Sequence, residues 1–440
     1  KKEMRIIDMT LRMFIEPVLE LDLPLLETHL ENTKKAKEAL VESSGVTKTD
    51  LMSNPKFAKL LEAHGVEAPM KTSLTTGKQT YAFAKSDEGF KALLDHDNPA
   101  VVALVESRLG VKSSLEESRT ERFIGIAKRG LLPVPVRYYA AHTGRWGGDD
   151  KINIQNLPSR GVNGKVLKTS IVAPEGHVLI DCDSSQIEAR VLAWLAGQDD
   201  LVQAFLNKED VYIKMAARIY GIEEADVTAQ QRFVGKTTIL GAGYGMGAER
   251  FAEQLKGFGT DMPVAEARRV VKIYRDANWK ISQLWRSSQH MLVAMSRGDN
   301  FTYGVNDSVV CKSSRGTAGI KLPSGLWMKY ADLQFEQGER GPEFSYRTRR
   351  GRTRIYGGKV VENVCQAIAR CIMGEQMLAI ARKYKIALTV HDSVVCCVKE
   401  SEVDEAREYI ESCMNKTPAW ADGLPIACES GTGKSYGEAG

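Results

Sequence analysis

The residues best suited to chemistry in this chain are carboxylates delivered at the ends of strands. From His177 the sequence opens as a short apolar run, Val178 to Ile180, of the kind that makes a buried strand. It then presents Asp181 and Asp183 and passes into Ile187, Val191, Leu192, Trp194 and Leu195, whose spacing suits an amphipathic helix. A carboxylate on a strand that turns straight into a helix sits on rigid scaffolding, as a metal site needs. The plainer reading is a solvated strand edge. Asp181 and Asp183 share side-chain parity on an extended strand, so position alone leaves both open. A second such point follows: Ile386 to Val398 reads as two short strands around His391-Asp392. Two carboxylates brought together repel, and one takes up a proton unless a divalent cation lies between them. Two oxygen-liganded Mg²⁺ ions roughly 4 Å apart would activate an attacking hydroxyl and stabilise a leaving pyrophosphate.

Arg232, Lys236, Leu240 and Tyr244 lie four residues apart, so on one helix they form a slowly winding stripe. Core packing explains Leu240 and Tyr244 but not two cations in line with them. A triphosphate along the helix explains Arg232 and Lys236, with a base near Leu240 and Tyr244. Gly241, Gly243, Gly245 and Gly247 crowd the end of the stripe and predict a break there. Arg145, Asn153, Gln155 and Asn156 fall in a Gly-rich, non-repetitive stretch. Such residues make turns, and they also reach minor-groove acceptors that every base pair presents. Arg347, Arg349, Arg350, Arg352 and Arg354 concentrate guanidiniums between Tyr346 and Tyr356, a composition that suits a nucleic-acid backbone.

These groups need a large scaffold. At 440 residues the chain exceeds one ordinary core, and 43% hydrophobic with 26% charged residues reads as soluble and globular. Sixty basic against 56 acidic residues gives only +4, so local clustering must indicate any nucleic acid. No apolar run is long enough for a membrane span, and Lys1-Lys2-Glu3-Met4 leads into no signal-peptide core. The missing initiator Met points to a fragment or processed chain. The eight cysteines show no zinc-type spacing and suit reduced, buried thiols. Residues 1–30 read as mixed. Helices are expected over Leu26–Glu42, from Asn54-Pro55 to Gly65, and from Asn98-Pro99 to about Arg129. Val134–Ala141 reads as a strand. Leu201–Leu206, Val211–Tyr220, Ala229–Leu255 and Ala265–Ser296 read as helices, Phe301 to Tyr356 as strands and turns, and Glu362–Tyr384 as a helix. Lys71 to Lys78 is a Ser/Thr/Gly/Lys loop, a turn or a phosphate-contacting tip. Gly431-Thr432-Gly433-Lys434-Ser435 is not a phosphate loop, because Cys428 stands where Gly is needed.

Asp183-Ser184-Ser185-Gln186-Ile187-Glu188-Ala189-Arg190 resembles motif A of family A DNA polymerases, the DNA polymerase I type. Arg232 through Lys236 to Tyr244-Gly245 resembles motif B, and Val390-His391-Asp392 motif C. Thr143-Gly144-Arg145 with Asn153 to Pro158 is similar to the family's primer-side segment. The likeness covers about residues 140–440, and Tyr356-Gly357-Gly358-Lys359 followed by Val-Glu-Asn looks phage-like. It implies an α+β right-hand polymerase with palm, fingers and thumb and an antiparallel palm sheet. The implied division is an N-terminal segment and helical thumb over 1–130, palm over 131–200, fingers over 201–345 and palm again over 346–440. Asp183 and Asp392, helped by the Ser184 carbonyl, would hold two Mg²⁺ ions, with Mn²⁺ as a substitute. Lys236 and Arg232 would take the triphosphate, and Ser184, Gln186 and Leu240 would complete the nucleotide pocket. Glu188 would block a ribose 2′-OH, and Tyr244 would guard the templating position. Arg145 and His391 would meet the primer end; Asn153, Gln155, Asn156 and Arg160 would follow the duplex, and Arg349 and Arg350 its phosphates.

Four positions depart from the family. Leu240 replaces an aromatic, Ser184 replaces the aromatic after the motif A aspartate, Ser393 replaces a Glu, and Tyr212 stands where many relatives have His. These changes put sugar selectivity and fidelity in doubt. The expected reaction is template-directed addition of dNTPs to a primer 3′-OH in replication or repair. The partners would be primer-template DNA, dNTPs and accessory replisome proteins. The protein would be a monomer inside the cell, in host cytoplasm if phage-encoded. No proofreading exonuclease is expected in this chain. The rivals are a single-subunit RNA polymerase, against which Glu188 and Gln155-Asn156 argue, and a non-catalytic DNA-binding module built on the Arg cluster.

Overall fold

The computed structural model describes residues 1–73, 77–159, 164–314, 317–338, 341–349 and 351–440. Arg160 and Arg350 lie outside the described residues, as does the middle of the Lys71–Lys78 loop. The strand His177–Ser184 organises the fold, with Leu179, Ile180 and Cys182 fully buried. On one side it pairs with Ser393–Lys399, which returns from Ile386–Val390 through the two-residue turn His391-Asp392. On the other side it pairs with Cys428–Gly433, and every pair in this four-stranded sheet is antiparallel. The Val403–Met414 helix packs on the central strand. The Gly357–Ile380 helix, buried along most of its length, packs on the helices Ile187–Ala196 and Trp279–Arg297.

The chain forms two compact units. The larger unit comprises Lys1–Val18, Pro133–Asn156 and Ala173–Gly440. Residues 1–18 join it because Lys2–Ile15 is a helix packed against Gly357–Ile380, with Arg370 Nη1 bonded to Glu3 Oε1 at 2.6 Å. The smaller unit comprises Leu19–Leu132 and Leu157–Val172, tied by pairing of Glu20–Leu21 with Ile171–Val172. Its helices include Leu23–Ser44, Asn54–Ala63, Pro99–Lys112 and Leu115–Ala127. Asn98 caps its helix as the sequence indicates, accepting from the Ala100 N–H at 3.0 Å. The Asn54–Ala63 helix instead starts one residue earlier, after Ser53. In this unit's core Arg108 is buried, and among the described residues no carboxylate pairs with it. Its guanidinium lies over the rings of Phe57 and Phe83, and burial pushes its pKa down to about 10.

Three local expectations change. The strand expected at Val134–Ala141 shrinks to Val136–Arg137, because Tyr139 turns the backbone at φ +53°. Ala229–Leu255 is two helices, Ala229–Ala242 and Ala248–Gly257, and Ala265–Ser296 likewise falls into Val264–Ala277 and Trp279–Arg297. The 301–356 region forms two antiparallel sheets, of four and three strands. The whole is a mixed α+β architecture with antiparallel sheets. All eight cysteines are free thiols, and among the described residues no helix is long and apolar enough to cross a membrane.

Candidate active site

Asp183 and Asp392 meet at one edge of the central sheet. Asp183 stands opposite Ser393 in the strand register, so Asp392 is its neighbour across the turn. The Ser184 N–H donates to the Asp392 carbonyl at 3.0 Å, which pins the turn to the strand end. His391 makes that turn possible by adopting φ +52°. Beyond Ser184 the chain swings into the Ile187–Ala196 helix through Gln186, itself at φ +54°. Buried Arg190 fixes the swing: its Nε donates to the Ser185 carbonyl at 2.7 Å and its Nη1 to the Pro425 carbonyl at 3.3 Å. No role had been given to Arg190, although its place one turn after Ser185–Gln186 was visible.

Asp181 and Asp183 now separate physically. Asp181 is buried and accepts a hydrogen bond from the Ser393 hydroxyl, whereas Asp183 is exposed. Crowding by surrounding protein pushes the Asp183 pKa up to about 7, with the negative charges of Asp392, Asp181 and Glu429 adding to it. The exposed side chain still reaches water, so its shift expresses the field of its neighbours as well as lost solvent. Such a field favours a cation. Ser184 Oγ, buried and without a hydrogen-bond partner, offers a further oxygen at the same place. Donors that are all oxygen fit a hard divalent ion. Among the described residues there is no group of three or more His, Cys, Asp and Glu side chains poised for a metal, so protein alone would not complete its shell.

A polar chain leads from this edge to the next helix. Arg145 binds a Glu188 carboxylate oxygen and lies 3.4 Å from both oxygens of Asp392. Burial works against the Arg145 charge, but Asp392 and Glu188 outweigh it and hold its pKa above the usual value. The Tyr244 hydroxyl donates to the other Glu188 oxygen at 3.3 Å. Burial raises the Glu188 pKa, while Arg145 and Tyr244 pull it back.

Arg232, Lys236 and Leu240 do share the exposed side of the Ala229–Ala242 helix. Tyr244 lies past its end: the helix stops at Ala242, and Gly245 turns the chain at φ +82°. The fourth member of the stripe is therefore placed by the glycine turn. Lys236 has an exposed ammonium with no ion pair among the described residues. Arg232 Nε is held by Asp210 at 2.8 Å, and Asp210 also caps the Val211–Tyr220 helix. Under both cations lies buried Tyr212, with its ring centroid 5.4 Å from Arg232 and 5.9 Å from Lys236. Gly235 permits that approach, because a Cβ there would stand 2.2 Å from the Tyr212 carbonyl oxygen. Asp210 was missed entirely. Tyr212 was noticed as a departure but not included in the site; its spacing from Asp210 gives only a capping signal.

The His391 ring Nε2 lies 3.0 Å from the Gln155 carbonyl, so this pair meets through backbone. Asn153 Oδ1 is buried and unpartnered, whereas Asn156 is exposed. Arg349 occupies the exposed turn after Gly341–Thr348 and makes no hydrogen bond or ion pair with the carboxylate group among the described residues. All these residues except Arg160 and Arg350 lie in the described part of the larger unit.

Carboxylates on an antiparallel sheet are thus joined through Glu188 and Tyr244 to the turn that follows a helix carrying two cations. A family model for DNA polymerase family A matches residues 24–294. The chain belongs to DNA polymerase family A. It is 27% identical to a DNA polymerase of Bacillus phage SP02 over 394 residues, 77% of this chain and 57% of that protein. It is 26% identical to the thermostable DNA polymerase I of Thermus filiformis over 431 residues, 96% of this chain and 46% of that one. The chain thus spans about half the length of these curated relatives. The solved polymerase domain of Pol1 from M. smegmatis, in complex with DNA primer-template and dNTP, shares the fold. Its TM-score is 0.68 at 20% identity, over 99% of this chain and 70% of that one.

Proposed function

We propose that the chain is a phage-type, template-directed DNA polymerase that adds dNTPs to a primer 3′-OH and carries no proofreading centre of its own. The observation that supports this reading is the meeting of Asp183 and Asp392 at one sheet edge, linked through Arg145, Glu188 and Tyr244 to the turn that follows the helix bearing Arg232 and Lys236. The names of the relatives support it, as does the nucleic acid bound by the solved neighbour. The smaller unit is the thumb in this reading; the central sheet is the palm, and the helices from Asp199 to Arg297 belong to the fingers.

Asp183, Asp392 and the Ser184 carbonyl would hold two Mg²⁺ ions, or Mn²⁺ in their place, which supply activation of the 3′-OH and neutralisation of the phosphates. Lys236, with no ion pair among the described residues, neutralises the triphosphate and can pass a proton to the leaving pyrophosphate. Arg232 takes the outer phosphates with its charge steadied by Asp210 and the Tyr212 ring. Gln186 and exposed Leu240 border the nucleotide. Glu188, fixed from two sides, stands where a 2′-OH would arrive, and Tyr244 closes the templating side. His391 and Arg145 meet the primer end. Asn153, Gln155 and Asn156 follow the duplex, while Arg349 neutralises its backbone.

Primer extension with Mg²⁺, offering dNTPs and rNTPs separately, is the test. The wild-type chain is expected to prefer dNTPs, and Asp183→Ala to fall to background while duplex binding stays within a few-fold. Preference for rNTPs, or wild-type binding without extension, would defeat the proposal.

A further inference from the structure

The position of Arg145 has a consequence for the order of events. Its backbone is held at the carbonyl, and both neighbouring residues are anchored. The Arg145 carbonyl accepts the N–H groups of Ala140 and Ala141 at 3.0 and 3.2 Å. Next to it, buried Arg370 donates to the Gly144 carbonyl at 3.2 Å, and the Trp146 indole N–H donates to Thr10 Oγ1 at 3.0 Å. With the main chain fixed, the guanidinium moves by side-chain rotation alone. One terminal nitrogen, Nη2, serves both Glu188 and Asp392, while Nε is buried and has no partner. A guanidinium has five N–H donors in a planar fork. Here one nitrogen is shared between two acids and another donor is idle, so the side chain is less than fully satisfied where it sits.

That place is already charged for a different tenant. The carboxylate touched by Arg145 is one of the two that would hold a divalent ion. A fixed positive charge beside it weakens cation binding by direct repulsion and by occupying both Asp392 oxygens. Removing that charge also leaves Glu188 and Asp392 facing each other with their negative charges uncompensated, which strengthens cation binding further. A primer terminus presents minor-groove acceptors to the same guanidinium. Drawing Arg145 toward those acceptors uncovers Asp392.

We propose that Arg145 is an internal counter-ion that covers Asp392 in the DNA-free chain and must release it before a divalent cation is bound tightly there. This rests on the carboxylate-site reading above and extends it. Arg145 thereby makes full occupancy by the metal depend on the presence of a primer end. The free protein does not assemble a complete charged site in the absence of something to extend.

Mn²⁺ binding to the full DNA-free chain, followed by electron paramagnetic resonance, tests the coupling. Asp392→Ala identifies which binding belongs to this site. R145Q is expected to tighten Mn²⁺ binding there by about threefold or more, whereas R145K, which keeps the charge, stays within about twofold of wild type. Thermal melting establishes that the variants are folded, and R145M replaces R145Q if the glutamine variant is not. Equal or weaker binding by the neutral variant overturns the counter-ion role. If wild type and neutral variant both lack the Asp392-dependent binding, the metal reading falls with it. If both bind equally while the wild-type chain extends a primer, only the counter-ion role falls.

Discussion

Glu188 is held through both of its carboxylate oxygens, and the pairing makes the sugar-filter role proposed for it testable. One oxygen is held by Arg145 and the other by the Tyr244 hydroxyl. A side chain fixed at both oxygens excludes a 2′-OH by occupying space; a mobile one would move aside. Glu188→Ala is expected to raise ribonucleotide incorporation relative to deoxynucleotide by about tenfold or more, within the range that small steric changes in a pocket produce. Competing steady-state extension assays measure it, and unchanged selectivity would place the filter elsewhere. At this scale the sequence was informative about types and poor about choices. Strand parity could not separate Asp181 from Asp183, because both point to the same side of the strand. The motif favours Asp183, and what sets the two apart in the structure is tertiary: Asp181 is buried and accepts from the Ser393 hydroxyl. Nothing local in the sequence announces a hydrogen bond between residues 181 and 393.

Elements hold these residues in place chiefly through close backbone contacts. The Gly357–Ile380 helix begins against two other chain segments at once. A Cβ at Gly358 would stand 2.3 Å from the Tyr244 carbonyl oxygen, and one at Gly357 2.1 Å from the Trp285 carbonyl oxygen. Gly358→Ala therefore pushes on the turn that carries Tyr244. A loss of roughly 1–3 kcal/mol of stability is expected from overpacking, together with weaker dNTP use. Urea unfolding and the KM for dNTP measure the two effects. Retention of both would mean that the turn yields without disturbing Tyr244. The helices were readable because their apolar spacing is periodic, and the hairpin around His391-Asp392 because alternating apolar runs bracket it. The break after Ala242 was also readable, since four glycines fall within seven residues. The short strand at Val136–Arg137 was not: it depends on Tyr139 taking a left-handed conformation that composition does not indicate.

At the scale of the molecule, the two-unit division follows contacts between segments distant in sequence. The N-terminal helix returns to Gly357–Ile380, and Ile171–Val172 returns to Glu20–Leu21. Counting elements along the chain cannot reveal such returns. The central strand His177–Ser184 poses the sharpest case. Both of its sheet neighbours, Ser393–Lys399 and Cys428–Gly433, lie far downstream. During synthesis that strand therefore leaves the ribosome with two open edges and stays unpaired until nearly the whole chain has followed. Non-local pairing of this kind is slow, and open edges invite association with other chains. A chain ending at residue 385 should aggregate on expression or refolding, whereas the full chain should remain soluble. Light scattering during matched refolding distinguishes the two, and a soluble truncated chain would show that the strand has another shield. The carboxylate site forms only after Asp392 has been made, so shorter, partly made chains carry Asp183 without its partner.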